Sequence, residues 1–220
     1  MAKGRIGLWL IGAKGGVATT VMTGLRALAR GLVEPIGLIT ETEAFHSLNL
    51  IDWGDVVIGG HDIRNASLLD EARRMWTVSR AIPPGVLEAV APDLIDIETR
   101  LRPGTVLASG TSIQAIASLP ESKSAKTPRS IIDQIRTDIL DFAETNDVER
   151  VVVVNLASTE PPWSLPIPDN FDEISFLLEN ASESSPLPTS SLYAIAAFEA
   201  DAAYINFTPS TGATPQALNN

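Results

Sequence analysis

The sequence contains no cysteine and only two histidines, and these absences exclude several kinds of site. Without cysteine the chain forms no disulfide and no thiolate-ligated metal centre, and His46 and His61 alone offer little for a zinc site. No metal site is therefore predicted. The net charge of −11, from 16 basic and 27 acidic residues, argues against a nucleic-acid-binding surface.

Long apolar runs are also missing. No uncharged stretch approaches the roughly 20 residues that cross a bilayer, and the N-terminus lacks the apolar core and cleavage site of a secretory signal. Cytoplasmic residence without membrane contact is the expectation. With 45% hydrophobic and 20% charged residues among 220, the chain can bury the core of one domain.

Apolar β-branched runs alternate with helical patterns, which is typical of a parallel sheet with helices on both faces. The predicted fold class is therefore α/β, a doubly wound Rossmann-like domain. Strands are predicted near residues 5–11, 36–40, 55–59, 104–108, 150–156 and 202–206. Helices are predicted over 17–32 and 130–143, and around 170–180 and 189–200. The residues expected to face the core from the first two helices are Val21, Leu25, Leu28, Leu32, Ile131, Ile135, Ile139 and Phe142.

The most informative segment is the glycine-rich stretch 12–18, which follows the first predicted strand and opens the first predicted helix. Glycines allow backbone N–H groups to approach a pyrophosphate, and the helix N-terminus adds its positive dipole end. The stretch departs from Gly-x-Gly-x-x-Gly, because Lys14 stands at the second glycine position and Ala18 at the third.

Three interpretations of this stretch remain open on local grounds. It is a Rossmann dinucleotide turn, a variant phosphate loop of a nucleotide triphosphatase, or a glycine turn without a ligand. The phosphate loop needs a lysine directly before its Ser/Thr, whereas Ala18 precedes Thr19 here, so this interpretation is the weaker of the two ligand-binding ones.

An acid after the predicted strand 36–40 bears on the choice of cofactor. Glu41 lies 23 residues after Ala18, close to where a Rossmann domain places an acid on the adenosine ribose. An exposed loop glutamate is the alternative. Because no arginine is near Glu41 to hold a 2′-phosphate, NAD is expected to bind in preference to NADP.

Further strand ends carry small, acidic or hydroxyl residues. Gly59 and Gly60 would let a ligand approach the backbone, and Asp62 would face the same crevice, although a tight turn with Asp62 as helix cap is the alternative. The segments 155–160 and 206–210 again place small polar residues after a strand. Because the carboxyl ends of parallel strands meet at one edge, an occupied crevice is predicted there.

In this order and spacing, the segments resemble the NAD-binding part of the inositol-3-phosphate synthase family, also called myo-inositol-1-phosphate synthase. The family's glycine turn ending in Gly-Thr-Thr is similar to residues 12–20, and its Gly-Gly-(Trp/His)-Asp-Ile to residues 59–63. Its Asp-Ile-x-x-Phe helix matches 138–142, and its Thr-Ala-Asn-Thr-Glu matches 156–160. The Pro-x-Ser-x-x-Tyr-Ala start and the Asn-Gly-Ser-Pro segment resemble 188–194 and 206–209. The resemblance spans essentially the whole chain.

The resemblance implies an NAD-dependent isomerase that converts glucose 6-phosphate to inositol 3-phosphate by an internal redox cycle of oxidation, enolisation, aldol ring closure and reduction. Several positions depart from the family pattern, namely Lys14, Ala18, Ser158 and Phe207. The cofactor-binding residues predicted from the turn, the ribose acid and the resemblance are Gly12, Gly15, Gly16, Val17, Ala18, Glu41, Asp62, Leu156, Ala157, Ser158, Thr159, Phe207 and Thr208.

Family chains continue into a catalytic domain that carries lysines, whereas this chain has four lysines and none after Lys126. No catalytic residue is therefore assigned. The chain is expected to be a fragment, a split-gene product or a truncated homologue, with a C-terminal half and a homo-oligomer in the complete enzyme. The alternatives are a non-catalytic nucleotide-binding module and another nicotinamide-dependent oxidoreductase. A short-chain dehydrogenase is disfavoured because neither Tyr193 nor Tyr204 begins a Tyr-x-x-x-Lys motif.

Overall fold

A computed structural model of the chain describes residues 4–124, 126–182 and 184–219. These residues form one parallel sheet with the spatial strand order β3-β2-β1-β4-β5. The strands are β1 (Arg5–Ile11), β2 (Val56–Asp62), β3 (Leu101–Pro103), β4 (Val148–Asn155) and β5 (Ala203–Asn206). The helices are α1 (Gly16–Ala29), α2 (Leu68–Ser79), α3 (Pro84–Glu98), α4 (Thr111–Ile116), α5 (Pro128–Thr145), α6 (Phe171–Asn180) and α7 (Thr189–Glu199). From β1 the chain adds β2 and β3 on one side of β1, and then crosses to the other side to add β4 and β5. The strand order therefore reverses between β1 and β4, and a crevice forms at this switch point.

Helices cover both faces of the sheet, as the sequence predicted. Alternate residues of β1 point to opposite faces, so Trp9 and Ile11 pack against α5, α6 and α7, while Leu10 packs against α1, α2 and α3. The two apolar layers are separate clusters of buried side chains, and the central strands lie between them. This sandwich holds the carboxyl ends of β1, β2 and β4 at one rim.

Two glycines make room for an aromatic ring rather than for a ligand. A Cβ atom added at Gly7 would lie 2.7 Å from the Phe142 ring, and one added at Gly59 would lie 2.8 Å from it. At Gly60 an added Cβ would lie 2.1 Å from the carbonyl oxygen of Leu10 on β1. The interpretation of Gly59 and Gly60 as an approach path for a ligand was therefore wrong, because protein atoms fill the space.

The strand predicted at 36–40 is absent. The chain forms short 3₁₀ turns at Ile39–Glu41 and Glu43–Phe45 instead, and Gly37 adopts a φ of +82° that breaks an extended run. The position next to β1 is taken by Val56–Asp62, which pairs with it along six residues. The prediction failed because a β-branched apolar run does not specify which strand occupies that position.

Two smaller expectations also need correction. The strand predicted at 104–108 lies earlier, at Leu101–Pro103, because β2 ends at Asp62 and Gly104 N–H then closes onto the Asp62 carbonyl oxygen at 2.8 Å. The buried face of α1 is formed by small residues and Met22, whereas Val21 and Leu32 are exposed. The expected core residues of α5 are all buried. Across the described ranges, no helix is both long and apolar enough to span a membrane.

Candidate functional site

The turn between β1 and α1 is held open by one glycine in the left-handed region. Gly12 has a φ of +78°, and an added Cβ would lie 2.8 Å from the Cα of Ala157 after β4. The N–H groups of Gly12 and Ala13 donate to the carbonyl oxygen of His61 at 2.9 and 3.0 Å. The turn is therefore clamped between the ends of β2 and β4, where the crevice opens.

The first turn of α1 begins at this crevice, where Gly16 lies in its lining. Gly15 caps the helix without a side-chain hydrogen bond. Within the described part of the chain, no acceptor reaches the N–H groups of Gly16, Val17 and Ala18. Such groups, together with the helix dipole, suit the negative charge of a pyrophosphate. The Gly16 position also packs against Met75, so a larger residue there would meet the Met75 sulfur at 3.0 Å.

The side chain of Lys14 points away from these donors. Its Nζ lies 3.0 Å from the Glu98 carboxylate and donates to the carbonyl oxygen of Ala66, and the side chain is only 12% exposed. Its backbone N–H donates to the Asp62 carboxylate at 2.7 Å. Lys14 therefore ties the turn to α3 and does not line the crevice, which disfavours the phosphate-loop interpretation.

A cavity of about 280 Å³ occupies the crevice at the carboxyl ends of the strands. Residues of α7 and of the segment after β3 also line it. The predicted site residues that line this cavity are Gly12, Gly15, Gly16, Asp62, Leu156, Ala157 and Ser158.

The other predicted site residues lie outside this lining. Ala18 is fully buried, while Val17 and Phe207 are 55% and 70% exposed. Glu41 lies on an exposed 3₁₀ turn. The cofactor contacts predicted for these residues, and for Thr159 and Thr208, stay predictions.

The acid at the end of the strand beside β1 is Asp62, not Glu41. In the observed strand order β2 is the second strand of the first β-α-β unit, and Asp62 is its last residue. Its carboxylate accepts hydrogen bonds from the N–H groups of Lys14 at 2.7 Å and Arg64 at 2.8 Å. Asp62 is buried and lines the cavity, so it takes the place in the fold that Glu41 was expected to take.

Two arginines that the sequence interpretation missed line the cavity beside Asp62. Arg64 is two residues after Asp62, and Arg74 is on α2. Both contact the Glu71 carboxylate, with N–O distances of 3.6 Å from Arg64 and 2.8 Å from Arg74. The signal for Arg64 was available in the sequence, since it follows the quoted Asp-Ile pair directly.

The far end of the cavity is rich in hydroxyl and carboxylate groups. Glu160 is buried, and its carboxylate accepts from the N–H of Ser190 at 2.9 Å and from the Ser190 hydroxyl. The Glu160 N–H donates to the Ser210 hydroxyl at 3.0 Å. Glu160 and Ser190 both fall within segments of the resemblance, which assigned neither a role.

A buried aromatic cluster supports the middle of the cavity. The indole N–H of Trp9 donates to His61 Nδ1 at 3.1 Å, so Nε2 carries the ring proton and donates to Asp138 at 3.0 Å. Burial raises the pKa of Tyr193 above its ordinary value, and its hydroxyl oxygen accepts from the N–H of Thr105 at 3.3 Å. Tyr193 therefore stays protonated at neutral pH and can donate a hydrogen bond into the cavity.

A parallel sheet in this order, with a glycine turn at its switch point and uncommitted helix N–H groups at the cavity, defines a Rossmann-type dinucleotide-binding domain. Residues 6–219 match the family model of myo-inositol-1-phosphate synthase that describes its NAD-binding domain. The chain belongs to this family, and NAD is the cofactor of the matched domain.

Curated relatives agree with this assignment. The chain is 30% identical to inositol-3-phosphate synthase 1 of Bacteroides thetaiotaomicron, over 94% of this chain and 49% of the relative. It is 27% identical to inositol-3-phosphate synthase of Dictyostelium discoideum, over 98% of this chain and 46% of the relative. The chain therefore spans about half the length of the curated relatives that it matches.

Solved structures agree in fold. Inositol-3-phosphate synthase of Caenorhabditis elegans superposes with a TM-score of 0.77 at 19% identity, covering 98% of this chain and 46% of that one. A myo-inositol-1-phosphate synthase-related protein of Thermotoga maritima gives a TM-score of 0.60 at 20% identity, covering 97% and 50%.

Proposed function

We propose that this chain provides the NAD-binding part of an enzyme that converts glucose 6-phosphate to inositol 3-phosphate. The observation that supports the proposal most is the conjunction of the family match with the cavity at the switch point. The glycine turn, the Asp62 position and the rim after β4 meet in that cavity, at the segments that carry the family resemblance.

In this proposal the residues have separate tasks. The N–H groups of Gly16, Val17 and Ala18 hold the pyrophosphate, and Gly12 keeps the turn close to Ala157. Residues 156–159 and 207–208 make further contacts with the cofactor. NAD, when bound, supplies the hydride acceptor and donor of the internal redox cycle.

We propose further that the groups for enolisation and ring closure come from polypeptide corresponding to the rest of the relatives. A developing enolate needs cationic groups or hydrogen-bond donors beside it. Lys14 is engaged with Glu98, Lys123 and Lys126 are exposed, and Lys3 lies outside the described residues. The complete enzyme is proposed to be a cytoplasmic homo-oligomer.

A second candidate is a non-catalytic nucleotide-binding module, favoured by a cavity lining that includes no lysine among the described residues. One experiment separates the two. Calorimetric titration of the purified chain with NAD tests the site, and mixing it with the separately expressed C-terminal half of a relative tests completion. Binding of NAD with gain of inositol phosphate formation supports the synthase. Binding without any gain favours the module, and no binding contradicts both.

A further inference from the structure

On the α1 side of the sheet, burial decreases from the central strand toward the β5 edge. The strand register aligns Leu10 of β1, Val154 of β4 and Ile205 of β5 in one row on this side, and Val152 and Ala203 form the adjacent row. Leu10 is buried, Val154 is half-buried and Ile205 is 48% exposed. The helices α1, α2 and α3 therefore cover this face over β1 but leave it open over β5.

The opposite face of the same strands is covered. There the aligned row is Trp9, Val153 and Tyr204, of which Trp9 and Val153 are fully buried. The Tyr204 ring contacts the Phe198 ring of α7 at a centroid distance of 6.3 Å. Parallel sheets occur almost only with both faces covered, so the open apolar strip on the α1 side lacks a covering element.

Helix α1 borders this strip with an apolar flank. Arg30 pairs with Asp93 of α3 at 2.8 Å, so that side of α1 faces α3. Val21 precedes Arg30 by about two and a half turns at 3.6 residues per turn, which places it on the opposite flank. Leu25 and Leu28 continue this flank at helical spacing, and Val21 is exposed. These residues have the spacing of a core-facing stripe, yet nothing described here buries Val21.

The flank of α1 and the open strip form a groove, which we call the α1–β5 groove. It is lined by Val21, Leu25, Val152, Val154, Ala203 and Ile205. Neighbouring strands lie about 4.8 Å apart, so β5 lies about 10 Å from β1 across β4. Packed helices lie about 8–10 Å apart. The groove therefore has the width of one helix, lying beside α1 and over β4 and β5.

Length and charge indicate what occupies the groove. The chain covers 49% and 46% of two relatives, so about half of each relative has no counterpart here. A second copy of this chain would bring a further net charge of −11, which opposes self-association. We propose that a helix with an apolar face, from the polypeptide corresponding to the other half of the relatives, docks in the α1–β5 groove. The proposal rests on the proposed function, because that function requires the same polypeptide.

The absence of cysteine from the sequence allows a test with single introduced thiols. Val21→Cys and Ile205→Cys place a thiol in the groove, and Val78→Cys on α2, at a position 71% exposed, is the matched control. Each variant is prepared as the 220-residue chain and as a fusion of this chain to the remaining half of the Bacteroides thetaiotaomicron relative. Maleimide labelling of each introduced thiol is followed by mass spectrometry of its peptide, and thermal melting checks folding.

Both groove thiols are expected to label about tenfold or more slowly in the fusion than in the chain alone, whereas the control thiol should label at the same rate in both. Equal rates for the groove thiols in the two proteins overturn the proposal. Groove thiols protected in the chain alone, together with a dimer in analytical ultracentrifugation, also overturn it, because a second copy is then the occupant.

Co-expression of the two polypeptides keeps the proposal testable where the fusion does not fold. The parent chain and Val78→Asp should then copurify with the half of the relative, and Ile205→Asp should not. Failure of the parent chain to copurify overturns the proposal.

Activity separates this proposal from the proposed function. Protected groove thiols in a fusion that forms no inositol phosphate support the docking and contradict the function. Inositol phosphate formed by a fusion with unprotected groove thiols contradicts the docking alone.

Discussion

At the scale of single residues, the site depends most on Gly12. Its positive φ and its approach to Ala157 leave no space for a side chain. Gly12→Ala is expected to lower the free energy of unfolding by about 2 kcal/mol or more, combining the left-handed penalty with displacement of the segment after β4. Urea unfolding followed by circular dichroism measures this.

Gly24→Ala is the control for that variant. Gly24 lies inside α1, and an added Cβ meets nothing within 4 Å. Alanine there should raise the free energy of unfolding by roughly 0.5–1 kcal/mol, since it restricts the unfolded chain. Equal effects of both substitutions would show that Gly12 has no special backbone role.

Gly15 tests ligand approach rather than backbone strain. Its φ is −70°, so the left-handed conformation expected of this turn lies at Gly12 instead, and an added Cβ at Gly15 would lie 3.0 Å from the Gly12 carbonyl oxygen. Gly15→Val is expected to fold and to weaken NAD binding by about tenfold or more, because the branched side chain covers the N–H groups of α1. Calorimetric titration of the folded variant with NAD measures this loss of affinity. Unchanged binding would mean that the turn is purely structural.

At the scale of elements, the Lys14–Glu98 pair joins the β1–α1 turn to the end of α3. Lys14→Met should lower the free energy of unfolding by about 1–2 kcal/mol, because it leaves a partly buried carboxylate without its cation. NAD affinity should change by less than about threefold, since Nζ does not reach the cavity. Thermal melting and titration test the two parts. A hundredfold loss of affinity with little loss of stability would support the phosphate-loop interpretation instead.

Glu98→Gln provides the counterpart for the same pair. It should destabilise the chain to a similar degree and leave cofactor binding intact, although its Leu68 N–H hydrogen bond at 3.1 Å would persist through the amide oxygen. If Lys14→Met weakens NAD binding and Glu98→Gln does not, Lys14 contacts the ligand. If neither variant weakens NAD binding, Lys14 only anchors the turn.

Helices and strands were predictable where their hydrophobic residues recur at a regular period and a local residue pattern marks their ends. The strand at 5–11 and the helix over 130–143 were predicted closely, since Ile131, Ile135, Ile139 and Phe142 mark one buried face. The strand predicted at 36–40 was wrong, because the apolar pattern of these residues suits a strand but they pair with no strand of the sheet. The helices α2 and α3 were not predicted, and Pro92 inside α3 disguises that helix.

The candidate site was predictable only where sequence neighbours form it. The glycine turn and the rim after β4 were identified from local motifs, and six of the predicted residues in those two segments line the cavity. The Lys14 contact with Glu98 joins residues far apart in the chain, and no local pattern specifies it. That Asp62 ends the strand beside β1 is a property of strand pairing, which the local sequence does not specify.

At the scale of the whole molecule, the fold separates cofactor binding from the chemistry that the relatives' name describes. The sheet and its helices complete a cavity with donors for a dinucleotide, while the chain spans about half the length of its relatives. An isolated Rossmann unit of this kind can bind its cofactor without turning over a substrate, because binding and transition-state stabilisation use different groups.

The 220-residue chain alone is therefore expected not to make inositol phosphate. Positioned cations commonly contribute several kcal/mol to a transition state of this charge, so their loss should reduce turnover by orders of magnitude. Purified chain, glucose 6-phosphate and NAD are assayed for inositol phosphate, with and without the C-terminal half of a relative. The full-length relative serves as positive control, and NAD titration of the same preparation shows that the chain is competent to bind. Turnover by the isolated chain at a rate comparable to the full-length relative would contradict the proposal that the catalytic groups come from other polypeptide, because the groups present here would then suffice for enolisation and ring closure.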